Sequence, residues 1–162
     1  MPDVIVYPTG GGTGLVGMWK AFDELEEMGW INSERPRMVC VQAEGCKPVV
    51  DAFQRKLDHI ETPYQNAKTI ASGLRVPFPF ASEQILKVIN ESKGTALAVS
   101  DQAILESMKK FATKEGIFVC PEGAATLAAL ETLEEAHLID HEETIVLYNT
   151  GSGLKYLELL GV

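Results

Sequence analysis

Residues 8–22 read PTGGGTGLVGMWKAF. Glycine fills four of the five positions 10–14, which strips side chains from the backbone and opens positive φ to it. The apolar run Val4-Ile5-Val6-Tyr7 leads in. Leu15, Met18, Trp19, Phe22, Leu25 and Met28 lead out at helical spacing. The pattern predicts a buried strand, a glycine turn, and a helix that begins near Thr13 and stops at Gly29. A helix start behind a bare turn presents free N–H groups and the positive dipole end to one spot, which suits a phosphate. The P-loop pattern is absent, because no Lys-Ser or Lys-Thr follows Gly14 at the required place. The dinucleotide pattern G-x-G-x-x-G reads as Gly12 to Gly17, with Glu44 as an acidic residue farther along than usual. A tight turn that holds no ligand also accommodates these glycines.

The rest of the chain repeats the opening unit. Met38-Val39-Cys40-Val41 predicts a second strand, closed by Glu44-Gly45, and Pro48–Leu57 a second helix with proline in its first turn. Ser82 is read as the cap of a helix running to about Ser92, and Asp101 as the cap of one ending near Gly116. Ala96–Val99, Ile117–Cys120 and Thr144–Tyr148 are read as the third, fourth and fifth strands, with a helix from Gly123 to about Ala136. Residues 58–81, with Pro63, Pro77 and Pro79, predict a long irregular segment within a single domain covering residues 1–162. Strands that are continuous apolar runs, alternating with helices, predict an α/β fold of three layers: a mainly parallel sheet with helices on both faces.

The totals exclude several classes. The chain has 162 residues, 46% of them hydrophobic, and a net charge of −9. That charge opposes a nucleic-acid partner, whose phosphates need a basic face. No run approaches the ~18 apolar residues of a membrane span, and Met1-Pro2-Asp3 starts no signal peptide. Cys40, Cys46 and Cys120 are scattered, so neither a zinc site nor a disulfide frame is indicated. The expected location is the cytoplasm.

Ligands of parallel sheets bind beyond the carboxyl ends of the strands. There the sequence places Thr9–Gly14, Gln42–Gly45, Ser100-Asp101, Pro121–Gly123 and Asn149–Gly153. Polar residues and glycines converge on one edge.

At this point YPTGGGTGLVGMWKAF, NAKTIASGLRVP, CPEGAATLAAL and NTGSGLK, in this order and spacing, resemble the threonine synthases. These are pyridoxal-phosphate enzymes of fold type II, related to threonine dehydratase, cysteate synthase and cysteine synthase. The resemblance runs from about residue 3 to residue 156 and implies the large-domain half of that fold. It implies that Gly10, Gly11, Gly12, Thr13 and Gly14 hold the cofactor phosphate. It further implies that Thr150, aided by Ser152, faces the pyridine nitrogen. A hydroxyl partner leaves that nitrogen largely unprotonated and the electron sink weaker. Threonine synthases convert O-phosphohomoserine and water to threonine and phosphate.

The resemblance stops short in one respect. The family's Schiff-base lysine, in a Ser-x-Lys-type motif, and an Asn near the ring hydroxyl belong to an amino-terminal part that nothing here matches. Lys20 falls mid-helix, and Lys155 follows the last glycine turn; neither stands in the expected motif. The expectation is therefore a carboxyl-terminal portion of a longer enzyme, with no catalytic residue of its own and inactive alone. Its expected partners are an amino-acid substrate, the missing amino-terminal part and, as a candidate, a second copy in a homodimer. A stand-alone phosphate-binding module, a fragment of a related pyridoxal-phosphate enzyme, and a nicotinamide-dependent oxidoreductase remain open alternatives.

Single residues carry two readings each. Arg75, in SGLRVP, is either a bidentate partner for a substrate carboxylate or phosphate or a surface ion pair. Glu122 and Glu44 either reach the cofactor edge and substrate or simply favour a helix dipole. Ser152 serves the ring nitrogen or the backbone. His59 faces substrate or solvent. His137 and His141 have the i,i+4 spacing of a metal pair, but the turn-like residues between them favour a solvated helix exit and no metal. Cys40 is read as core, and Cys46 lacks a nearby base.

Overall fold

A computed structural model of the chain describes residues 1–160. Four strands, β1 (Val4–Pro8), β2 (Arg37–Ala43), β3 (Thr95–Val99) and β4 (Ile145–Leu147), form one sheet in the order β3-β2-β1-β4. Every neighbouring pair is parallel, with Val6 beside both Val39 and Leu147. β1 is central, and its residues Val4, Ile5 and Val6 are all buried although they alternate between faces. A strand covered on both sides has to be apolar throughout.

Helices supply the two covers. α1 (Thr13–Glu27), α2 (Pro48–Gln54) and α3 (Ser82–Glu91) pack Leu15, Val49, Val50, Ile85 and Ile89 onto Ile5, Met38, Cys40 and Ala96. On the other face, α4 (Asp101–Lys114) and α5 (Pro121–Glu135) pack Ile104, Met108, Ala125, Ala129 and Leu133 onto Val4, Val6, Val39 and Val41. The alanines of α5 let its backbone lie close across β1, β2 and β3. The α/β class, the three layers and the parallel sheet agree with the sequence reading.

Three local expectations are corrected. Ile117–Cys120 is not a strand of the sheet, which therefore has four strands and not five. Its backbone pairs instead with the stretch after β4: Val119 bridges Ser152, Cys120 N–H donates to Gly151 O at 3.0 Å, and Gly153 N–H donates to Phe118 O at 2.9 Å. Only Val119 and Cys120 of this run are buried, Ile117 being half exposed, and the apolar pattern gave no hint of the partner. Asp101 does not cap α4. Ser100 does, its hydroxyl accepting from Ala103 N–H at 3.1 Å. Asp101 takes Thr69 Oγ1–H at 2.6 Å and Ile70 N–H at 3.1 Å. Nor does Ser82 cap α3: Ala81 holds that position, and Ser82 Oγ accepts from Ile60 N–H at 3.3 Å. In both cases a backbone donor of the irregular segment, buried at Ile60 and partly buried at Ile70, outcompetes the local helix end, since such donors need partners. That segment runs irregularly apart from a short 3-10 turn at Ser72–Leu74.

A second 3-10 stretch, Gly153–Leu160, follows β4 and kinks at Tyr156. No helix among the described residues is long and apolar enough to cross a membrane.

Candidate functional site

All four strands end on one side, so their carboxyl termini form a single edge. The β1–α1 connection lies at its centre. Thr9 is fully buried, and its N–H continues the β1–β2 ladder to Val41 O at 2.8 Å. Gln42, also fully buried, ties this loop to α2. Its Nε2 donates to Thr9 O at 3.2 Å, and its Oε1 accepts from Val49 N–H at 2.9 Å and Val50 N–H at 3.3 Å. From Gly10 to Leu15 no backbone N–H finds an acceptor among the described residues, and Gly12 at the N-cap has no side chain to offer one. These donors converge on the positive end of α1.

The loop's glycines are enforced by packing. Gly12 adopts φ +89°, and a Cβ there would collide with Ile85. A Cβ on Gly10 would strike the Gly73 carbonyl, and one on Gly14 the Tyr7 hydroxyl. The Tyr7 ring packs on Tyr148 with centroids 5.0 Å apart. Burial first, then Tyr148, push the Tyr7 hydroxyl up, so it stays protonated at neutral pH. Phe80, 79% exposed, lies against Gly11. Gly17 is different: it sits inside α1 with open space where a Cβ would be. It makes no close helix–strand approach of the kind the third glycine of a dinucleotide motif supports.

The Tyr7–Tyr148 contact sets the β4 turn beside this loop. Thr150 is exposed, and its Oγ1 lies 3.8 Å from Cys120 Sγ. Cys120 caps α5, accepting from Gly123 N–H at 3.3 Å, and sits 3.8 Å from Asn149 Oδ1. Burial pushes its thiol up, so it is a neutral neighbour of Thr150. Ser152 spends its hydroxyl on the backbone, accepting from Leu154 N–H at 3.2 Å.

The remaining candidates scatter. Arg75 is exposed, makes no ion pair or side-chain hydrogen bond among the described residues, and sends its charge toward Cys46 at the end of β2. Glu122 turns inward and is bonded to Gly73 and Tyr156. Glu44 and His59 are exposed. Lys20 pairs with Glu24 on the outer face of α1, and Lys155 is exposed beyond the β4 turn. His137 and His141 share no helix face, because α5 ends at Glu135. Cys40 and Cys46 are buried, and burial holds the Cys40 thiol at about 12, so it is inert at neutral pH. A separate cavity of about 180 Å³ beside α2, lined by Asp51, Arg55, Ile60 and Tyr64, includes none of the loop residues.

The family model described as pyridoxal-phosphate dependent enzyme matches residues 1–151. The chain belongs to that family. Among curated relatives, the threonine synthase of Methanocaldococcus jannaschii is 42% identical over 155 residues, covering 96% of this chain and 38% of the relative. The threonine synthase of Mycobacterium tuberculosis is 32% identical, covering 95% of this chain and 40% of the relative. The chain thus spans about two-fifths of the length of the relatives it matches. Among solved structures, processed threonine deaminase isoform 2 from Solanum lycopersicum superposes with a TM-score of 0.73 at 17% identity, covering all of this chain and 46% of that one. An L-serine ammonia-lyase from Rhizomucor miehei gives 0.71 at 20% identity, covering 97% of this chain and 48% of that one. These likenesses establish the fold.

The family is pyridoxal-phosphate dependent, and the loop fits that cofactor's phosphate on two counts. It offers N–H donors with no acceptor among the described residues, and steric contacts keep its backbone bare. Sequence reading missed Gln42, Tyr7 and Gly73 as supports of the loop. A glutamine inside the apolar run MVCVQA was the one available signal.

Proposed function

We propose that this chain is the carboxyl-terminal part of a threonine synthase-type enzyme and supplies the phosphate end of its cofactor site. The observation that carries the reading is the row of unpartnered N–H groups from Gly10 to Leu15 at the carboxyl edge, in a chain of this family. Gly10, Gly11, Gly12, Thr13 and Gly14 would hold the cofactor phosphate through backbone donors and, at Thr13, an exposed hydroxyl. Thr150, on the neighbouring turn, would meet the ring nitrogen as a neutral hydroxyl, with Ser152 holding the turn. Arg75, free of any ion pair among the described residues, would take an anionic group of the substrate, its phosphate or carboxylate. When bound, the cofactor supplies the electron sink that makes carbon–oxygen cleavage beside an amino-acid centre accessible. Tyr7 and Phe80 border the loop, the Tyr7 hydroxyl against Gly14 and the Phe80 ring against Gly11.

The Schiff-base lysine would come from the amino-terminal part that the relatives carry and this chain does not match, leaving the chain alone inactive. The substrate class is then an amino acid bearing a phosphate ester, within cytoplasmic amino-acid biosynthesis. The test is phosphate release from O-phosphohomoserine by the protein as the genome encodes it, together with any upstream portion of the reading frame. Release with formation of threonine supports the reading. Deamination of threonine without phosphate release would move the chain to a dehydratase-type enzyme. Phosphate binding without turnover would favour a binding module.

A further inference from the structure

Glu122 lies in the first turn of α5 and is 7% exposed. A first-turn carboxylate is favoured by the helix dipole, yet this one reaches away from its own helix. Oε1 accepts from Gly73 N–H at 2.7 Å and from the Tyr156 hydroxyl at 2.6 Å. Tyr156 has one proton, given to Glu122, so the Ser72 hydroxyl donates to Tyr156 across 2.8 Å. Burial, then Glu122, push the Tyr156 hydroxyl up, which keeps that proton in place at neutral pH. The turn 72–74, the start of α5 and the 3-10 stretch after β4 thus meet at one carboxylate oxygen.

The link continues to the glycine loop by steric contact. A Cβ on Gly73 would lie 2.9 Å from Glu122 Oε1, and a Cβ on Gly10 would strike the Gly73 carbonyl. Two glycines are stacked in succession between the carboxylate and the loop. If the Gly73 N–H lost its acceptor, the turn would be free to move, and Gly10 with it.

We infer that Glu122 is a positioning residue: through Gly73 its carboxylate fixes the Gly10 end of the phosphate seat, and Tyr156 straps the chain's last stretch onto that clamp. Glu122 Oε1 is thereby committed to two donors within the chain, Gly73 N–H and the Tyr156 hydroxyl. The inference rests on the reading of the loop as a phosphate seat.

The experiment is a nitrogen-15 amide map of the chain, recorded free and during titration with inorganic phosphate, for four variants. Glu122→Ala is expected to move the Gly73 and Gly10 resonances in the free protein and to weaken phosphate binding about tenfold, the scale of one lost charge-assisted bond. Glu122→Gln keeps an acceptor oxygen on the same stem and is expected to restore binding to within about threefold. Tyr156→Phe, which leaves the Gly73 bond intact, is expected to weaken it by about threefold and keeps the test usable if Glu122→Ala does not fold. Leu133→Ala, at the far end of α5, is expected to lower Tm without moving Gly10 or the phosphate affinity. A wild-type chain whose 10–14 amides ignore phosphate would overturn the phosphate reading itself. A responsive wild type with an equally responsive Glu122→Ala variant and unmoved Gly10 would overturn the role of Glu122 alone.

Discussion

The two edges of the sheet are built differently. At the amino edge, Arg37 and Asp3 are paired within the chain. Arg37 grips the Glu143 carboxylate with bonds of 2.6 and 2.7 Å and donates to Leu138 O at 2.7 Å. Thr144 N–H donates to Asp3 Oδ2 at 2.8 Å. At the carboxyl edge the N–H groups of residues 10–15 have no protein acceptor, and Arg75 has no counter-ion among the described residues. Arg37 and Asp3 find partners within the chain, whereas the N–H groups of residues 10–15 and the Arg75 guanidinium find none among the described residues. On the proposed reading the open donors belong to the cofactor site, and substitutions at the two edges should separate stability from binding.

Gly12→Ala should do the most damage. The left-handed φ and the Ile85 collision together predict a loss of about 3 kcal/mol, with phosphate binding abolished; thermal melts and titration check it. Cys40, in the buried middle of β2, probes the core between the edges. Its thiol ionises near 9 when unfolded and at about 12 when folded. The unfolded state therefore releases the proton first, and stability falls as pH rises from about 9 to about 12, by up to ~1.4 kcal/mol per unit. Denaturant melts across that range should show the decline in the native chain and a flatter profile in Cys40→Ala.

At the amino edge, Arg37→Ala should cost about 1–2 kcal/mol, because the pair is bidentate but partly exposed, and phosphate affinity should not change. A loss of affinity there would erase the distinction between the edges. Gly17→Ala should stabilise by roughly 0.5–1 kcal/mol, being mid-helix with room for a methyl, and binding should be unaffected. The smallest change in stability, within about 0.5 kcal/mol, belongs to exposed Thr150→Ala. That variant should bind pyridoxamine phosphate more weakly and inorganic phosphate as before. Equal loss for both ligands would displace Thr150 from the ring end.

Period and punctuation made the architecture legible. The runs VIVY, MVCV and ALAV became parallel strands of the sheet, and the glycine cluster became the turn before α1 because both signals are local. The errors arose where partners are remote. Ile117–Cys120 has the composition of a core strand, but its ladder partner is the stretch at 151–153, which no local pattern encodes. Asp101 and Ser82 carry cap chemistry, yet donors from the irregular segment claim them. For the site, the glycines and Thr150 were visible as unusual residues at strand ends, and Arg75 as a cation in the irregular segment. The clamp of Glu122, Gly73 and Tyr156 was not, since it joins positions 49 and 34 residues apart with ordinary residue types.

On the proposed function, the carboxyl edge seats a pyridoxal-phosphate-type cofactor, phosphate on the glycine loop and ring toward Thr150. Its most direct test is an amide map of the chain titrated with pyridoxamine phosphate, which lacks the aldehyde that would react with surface lysines. Saturable shifts are expected at Gly10–Gly14 and, in step with them, at Asn149–Ser152, whereas inorganic phosphate moves only the first group. Shifts confined to the cleft of Asp51, Arg55 and Tyr64, with the glycine loop unmoved, would contradict it.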